Sequence, residues 1–175
     1  MVRGISTYLR LMGIILFFST FHFLALRADD QFKSPNFALA TVFLTPTNAN
    51  ASIPFTVQLA ISESEQAFGL MHTGQLQPYN GMLFMFPDLQ PRTFWMKNTP
   101  ISLDMLFFND RGYLVNIISS AEPQSLTIQH SVYAAKYVLE IGGGEAARLK
   151  LELGTQLNLP IKTIENLSYS NNKVK

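Results

Sequence analysis

The side chains best suited to chemistry gather around one proline-punctuated stretch, Gly81 to Asp104, which holds the chain's only tryptophan. On a strand over Phe94-Trp-Met-Lys-Asn98, Trp95 and Lys97 would share one face, and Phe94, Met96 and Asn98 the other. A tight hairpin closed at Pro100 would set Lys97 across from Asp104, with Trp95 beside Leu106. That arrangement is a polar pair on an aromatic floor, suited to an anionic or sugar-like ligand. A cross-strand ion pair that fixes register, with Trp95 filling a core gap, accounts for the same residues without a ligand.

Asp104 interrupts an otherwise apolar run to Phe108, and Glu140 does the same inside Tyr137-Val-Leu-Glu-Ile141. A carboxyl in such a run must be paired, hydrogen-bonded or placed at a site mouth. Two strand carboxylates can act as general acid and base or hold a cation. The alternative is that each faces solvent, and for Glu140 the alternation with Val138 and Lys136 favours it. His72, directly after a short helical pattern, suits proton transfer, but His72 and His130 lack the spacing of a metal motif. Met71, Met82, Met85, Met96 and Met105 could offer thioethers to copper; without a regular array, core filling is the better account. Gly142-Gly-Gly144 lacks the spacing and the following Lys-Ser/Thr of a phosphate loop. No metal site and no cofactor is expected.

The elements that must carry these residues are mostly strands. Expected strands cover 38–44, 55–61, 82–86, 93–97, 103–108, 112–119, 135–141 and 155–161, with 120–133 irregular. Ser62-Glu-Ser-Glu65 fits a capping box opening a helix over 63–71, and a second short helix is expected over 145–151. Asn109-Asp-Arg-Gly112 reads as a hairpin turn. Turn signals roughly every 8–12 residues predict an α+β, predominantly β domain: about eight short strands in a meander or barrel-like sheet with two short helices.

At the amino terminus, Arg3 and Arg10 precede an uncharged apolar stretch from Leu11 to Leu26, and Leu26-Arg-Ala28 resembles a cleavage site. Residues 1–28 therefore read as a signal peptide, with a retained membrane anchor as the alternative. Residues 29–37 read as a linker, 38–165 as one domain and 166–175 as a flexible tail. Loss of Arg3, Arg10 and Arg27 leaves 10 basic against 12 acidic residues, which offers no basic stripe for nucleic acid. Cysteine is absent, which excludes disulfides and thiolate chemistry.

Five blocks carry a resemblance: Glu65-Gln-Ala-Phe-Gly-Leu-Met71, Gly81-Met-Leu-Phe-Met-Phe86, Phe94-Trp-Met-Lys-Asn-Thr99, Leu103-Asp104 and Tyr137-Val-Leu-Glu140. Together with Gly144 and Gly154 they make the chain similar, over about 38–161, to Domain of Unknown Function 192. That resemblance implies a compact β-rich domain of exported or membrane-associated prokaryotic proteins and no assigned activity. Phe68 stands where the family usually has a basic residue, and Thr155 where it often has an acidic one. The expected function is a non-catalytic small-ligand-binding or interaction module of the bacterial envelope, periplasmic or extracellular. Its ligand surface would comprise Trp95, Lys97, Asn98 and Asp104, with Glu140 and His72 as neighbours. The expected partner is a small polar or anionic ligand or an envelope protein, with membrane contact only through an uncleaved N-terminal segment. The competing readings are an envelope hydrolase using Asp104 and Glu140, and a copper carrier.

Overall fold

The computed structural model describes residues 34–160. The candidate signal or anchor, the first residues of the linker and the tail at 166–175 lie outside the described residues. The elements run β1 (Ala38–Thr45), β2 (Ile53–Ala60), α1 (Glu63–Phe68), β3 (Asn80–Gln90), β4 (Thr93–Phe94), β5 (Leu103–Phe108), β6 (Leu114–Ala121), β7 (Gln129–His130), β8 (Ala135–Gly142), α2 (Glu145–Arg148) and β9 (Gln156–Asn158). Seven strands form one curled sheet, a half-barrel, in the order β6-β5-β8-β3-β2-β1-β9, while β4 and β7 make a separate ribbon. Neighbours are antiparallel except β2 and β3, which run parallel with α1 in their connection. Leu114 N–H donates to the Thr155 carbonyl and Leu157 N–H to that of Gly112, both at 2.8 Å. Those bonds bring the β9 edge to the start of β6, so the two ends of the curl touch at one corner.

The predicted β-dominated architecture is the one found. Pairing does not follow a simple meander, because β8 returns to lie between β3 and β5. This placement buries the middle strands on both faces, and all six residues of β5 are buried. Strands covered on both sides read as continuous apolar runs rather than alternating ones. One core cluster, including Val42, Phe55, Leu83, Leu106 and Ile141, draws on all seven strands and fills the curl. A second, including Met82, Phe84, Met105, Phe107 and Val138, lies on the outer face of the middle strands. Leu70, from the turn after α1, and Met96 cover it. Met82 and Met105 are therefore core, and Met85 packs with the opposite cluster.

The capping box forms as expected: Glu65 N–H donates to Ser62 Oγ at 3.3 Å, and Ser62 N–H to Glu65 Oε2 at 2.8 Å. The expected strand over 93–97 shrinks to Thr93–Phe94, which pairs with β7 rather than with β5. Beyond Phe94 the backbone turns: Met96 N–H bonds the Ser125 carbonyl and Thr99 N–H that of Met96, each at 3.0 Å. No hairpin at Pro100 brings Lys97 across from Asp104. The irregular stretch 120–133 contributes β7, a ninth strand too short to leave a periodic signal.

Candidate functional site

Asp104 and Glu140 occupy neighbouring strands, and register separates them. Across β5 and β8, Asp104 stands opposite Ile141, and Glu140 opposite Met105. Directly opposed residues share a face. Asp104 therefore points with Ile141 to the inner cluster and Glu140 with Met105 to the outer one. An acid–base pair of these carboxyls needs one pocket, so opposite faces remove the hydrolase reading in that form.

Asp104 is fully buried. Its Oδ1 accepts the N–H groups of Ser120 at 2.7 Å and Gly144 at 3.0 Å, and its Oδ2 accepts that of Ala146 at 2.8 Å. Gly144 is the N-cap of α2, held at φ 82, and has no side chain with which to cap it. Asp104 supplies the missing acceptor from another strand. The glycine turn thus holds a carboxyl belonging to the protein itself, and Gly143 N–H is engaged by the Ser102 carbonyl at 2.9 Å. The expectation that Asp104 forms ligand surface is corrected: backbone donors already occupy both its oxygens.

Glu140 presents the opposite case. It is only 4% exposed, so the solvent-facing reading is also corrected. The turn after α1 and the 94–99 segment roof over the face that alternation assigned to water. Its carboxyl makes no hydrogen bond or ion pair with any described residue. No buried side-chain oxygen among the described residues lacks both a partner and solvent, so the Glu140 oxygens reach the cleft that the residue lines. Burial alone pushes its pKa up to about 8, because a charged carboxylate is poorly solvated there. Near neutral pH the group is an uncharged acid with one O–H to donate.

The cleft above Glu140 has a volume of about 30 Å³, room for a small head group. Phe68, Phe84, Phe94 and Met96 give it apolar walls, and Trp95 and Lys97 stand at its mouth. Phe94 is fixed by edge-on contacts with Phe84 at 5.0 Å and Phe107 at 5.9 Å. Lys97 Nζ lies 5.1 Å from the centre of the Trp95 ring, a cation–π approach. Phe94 and Trp95 also line a second recess of about 190 Å³, completed by Thr93 and Ile128. Trp95 is 48% exposed and Ile128 53%, so the rim is apolar and open.

His72 and Asn98 meet beside this cleft. His72 N–H donates to the Asn98 carbonyl at 2.8 Å, both residues adopt positive φ, and the His72 ring lies 6.2 Å from that of Phe68. Of the sequence-predicted site residues, Trp95, Lys97 and Glu140 line one cleft, His72 and Asn98 sit near it, and Asp104 lies on the other side of the sheet. Sequence reasoning passed over Gln66, Phe68 and Phe94 as site walls; the capping box at Ser62, which fixes where α1 begins, was the available signal for Gln66 and Phe68, and Phe94 had none. No group of three or more His, Asp or Glu side chains among the described residues is placed to hold a metal ion.

The DUF192 profile, described as an uncharacterised ACR, matches residues 44–159. No curated protein matches. Among solved structures, a Sinorhizobium meliloti 1021 protein with the provisional description of a transcription regulator is 36% identical, with a TM-score of 0.68; the match covers 70% of this chain and 95% of that one. A protein of unknown function from Novosphingobium aromaticivorans DSM 12444 is 35% identical, with a TM-score of 0.65 and coverages of 69% and 84%. A profile that spans most of the described domain, together with these relatives, shows that the chain belongs to the DUF192 family.

Proposed function

We propose that this protein is a non-catalytic binding module of the bacterial envelope that takes a small polar or anionic ligand in the cleft over Glu140. One observation carries the reading: the carboxyl of Glu140, a residue 4% exposed, has no partner among the described residues and opens into a cleft whose mouth holds Trp95 and Lys97. A buried polar group without a partner costs roughly 1–3 kcal/mol, and a ligand that satisfies it recovers that cost. Binding fits better than catalysis because the second carboxyl that acid–base chemistry needs lies across the sheet, held by three backbone N–H groups. The envelope assignment rests on the charged and apolar pattern of residues 1–28. Regulation of transcription, the description attached to the Sinorhizobium relative, would call for a basic face, and the excess of acidic over basic residues beyond position 28 does not favour one.

A thermal-shift screen of small polar and anionic compounds tests the proposal. Hits should lose their stabilising effect in Trp95→Ala and Glu140→Ala proteins whose circular dichroism matches the parent. Hits indifferent to both substitutions would move the site elsewhere.

A further inference from the structure

We propose that the ligand is a monocarboxylate with an apolar body: its head hydrogen-bonds to the Glu140 carboxyl and meets Lys97, and its body lies across Trp95 toward Ile128. The inference rests on the cleft being the binding site and assigns the chemistry that the cleft selects. The argument is a count of idle donors. Gln66 Nε2 already donates to the carbonyls of Ile61 at 3.1 Å and Met85 at 2.9 Å. Thr99 Oγ1 donates to the Lys97 carbonyl at 3.3 Å. The backbone N–H groups of Gly69, Met71, Met96 and Thr99 are all engaged.

Among the lining side chains, what remains with hydrogen to give is the Glu140 acid, the Lys97 ammonium and the Trp95 indole, and none of them donates to a described residue. A site with donors to spare and one positive charge selects an acceptor-rich anion. An ammonium head would face the like charge of Lys97 at the mouth and would find in the neutral Glu140 acid only its uncharged carbonyl oxygen as an acceptor. A carboxylate instead accepts the Glu140 proton in a hydrogen bond with charge on one side only, the stronger kind. The size of the two spaces agrees: about 30 Å³ for the head and about 190 Å³ along the shared Phe94–Trp95 wall for the body.

Few charges can disturb this titration. Around Glu140, β3 and β5 contribute Met82, Phe84, Leu103 and Met105, none of them charged. From the covering segments come Lys97, at the mouth, and His72, near it; along β8, Lys136 shares the Glu140 face one turn of the pleat beyond Val138. Asp104 is on the far face of the sheet.

Trp95 is the chain's only tryptophan, so its emission reports on the cleft directly. The full chain is titrated with phenylacetate, phenylacetamide and phenethylamine, well below and well above about pH 8. Phenylacetate should saturate an emission change with an affinity at least about tenfold above the other two. That affinity should fall about tenfold per pH unit once Glu140 ionises. Glu140→Gln, which keeps a neutral donor, should bind within about threefold of the parent at low pH and lose the pH dependence. Lys97→Ala, a surface change that leaves the core intact, should weaken phenylacetate and spare phenylacetamide. If phenylacetamide or phenethylamine binds as tightly while Glu140→Gln still alters the response, the carboxylate assignment is overturned and the cleft reading stands. If none of the three probes perturbs Trp95, both are overturned.

Discussion

Asp104 and Glu140 are two buried carboxyls on adjacent strands, one residue out of register, and they live in opposite circumstances. Asp104 faces the inside of the curl, where three backbone N–H groups converge on it. Glu140 faces the outer cluster, where burial is nearly as deep and no described residue makes a hydrogen bond or ion pair with it. A buried polar group that is fully satisfied holds structure together; one left idle costs stability and is retained where something outside the chain completes it. The contrast separates the architecture from the proposed site within a single pair of strands.

The sharpest way to break that contrast is Asp104→Ala. It strands three buried N–H groups and uncaps α2, and should cost about 4 kcal/mol in a urea titration. A loss below about 1 kcal/mol would mean that water or a neighbour replaces the carboxyl, and the two sites would no longer differ in kind.

Glu140→Gln should act in the other direction. The folded protein keeps the Glu140 proton to about pH 8, whereas an ordinary carboxyl releases it near pH 4.5. The fold therefore binds the proton more tightly than the unfolded chain does. The stability tied to Glu140 is full below about pH 4.5, and it drains away as pH climbs to about 8. Above that, the glutamine variant should be the more stable protein by about 3 kcal/mol, allowing for water in the cleft. Parallel melting curves of parent and variant across this window would show instead that Glu140 has a partner.

Phe94→Ala removes a wall shared by both recesses and should cost about 2 kcal/mol while leaving the α2 end as well protected as in the parent. Hydrogen exchange checks this, with faster exchange expected around Phe84 and Phe107 and none at Ala146. Trp95→Ala, half exposed, should shift stability by less than about 0.5 kcal/mol, yet abolish ligand effects. A large loss of stability would make Trp95 a core residue after all.

Much of the fold was legible because its signals are local. The Ser62–Glu65 box, the Asn109–Gly112 turn and the apolar run of β5 each depend on a few adjacent residues, and each appears where expected. The site was less legible because its roof is assembled from segments far apart in the chain. Alternation alone assigns Glu140 to water; it is buried because the turn after α1 and the 94–99 segment close over β8. Likewise, spacing could not reveal that Asp104 caps a helix 40 residues later in the chain, since that bond exists only once β8 lies beside β5.

The corner where the ends of the curl touch has a consequence for how the chain comes to be folded. β9 pairs with β1, joining Phe43 to Asn158, and also bonds to the start of β6. The first strand therefore waits for almost the last described one before its outer edge is covered. Pairings so remote in sequence carry a high loop-closure cost and belong to folds that form in milliseconds to seconds rather than microseconds. Until then β1 offers an open edge to any passing strand. The hazard is greatest for a chain cut short before Gln156, which would carry every wall of the cleft and still lack the strand that makes it safe to assemble.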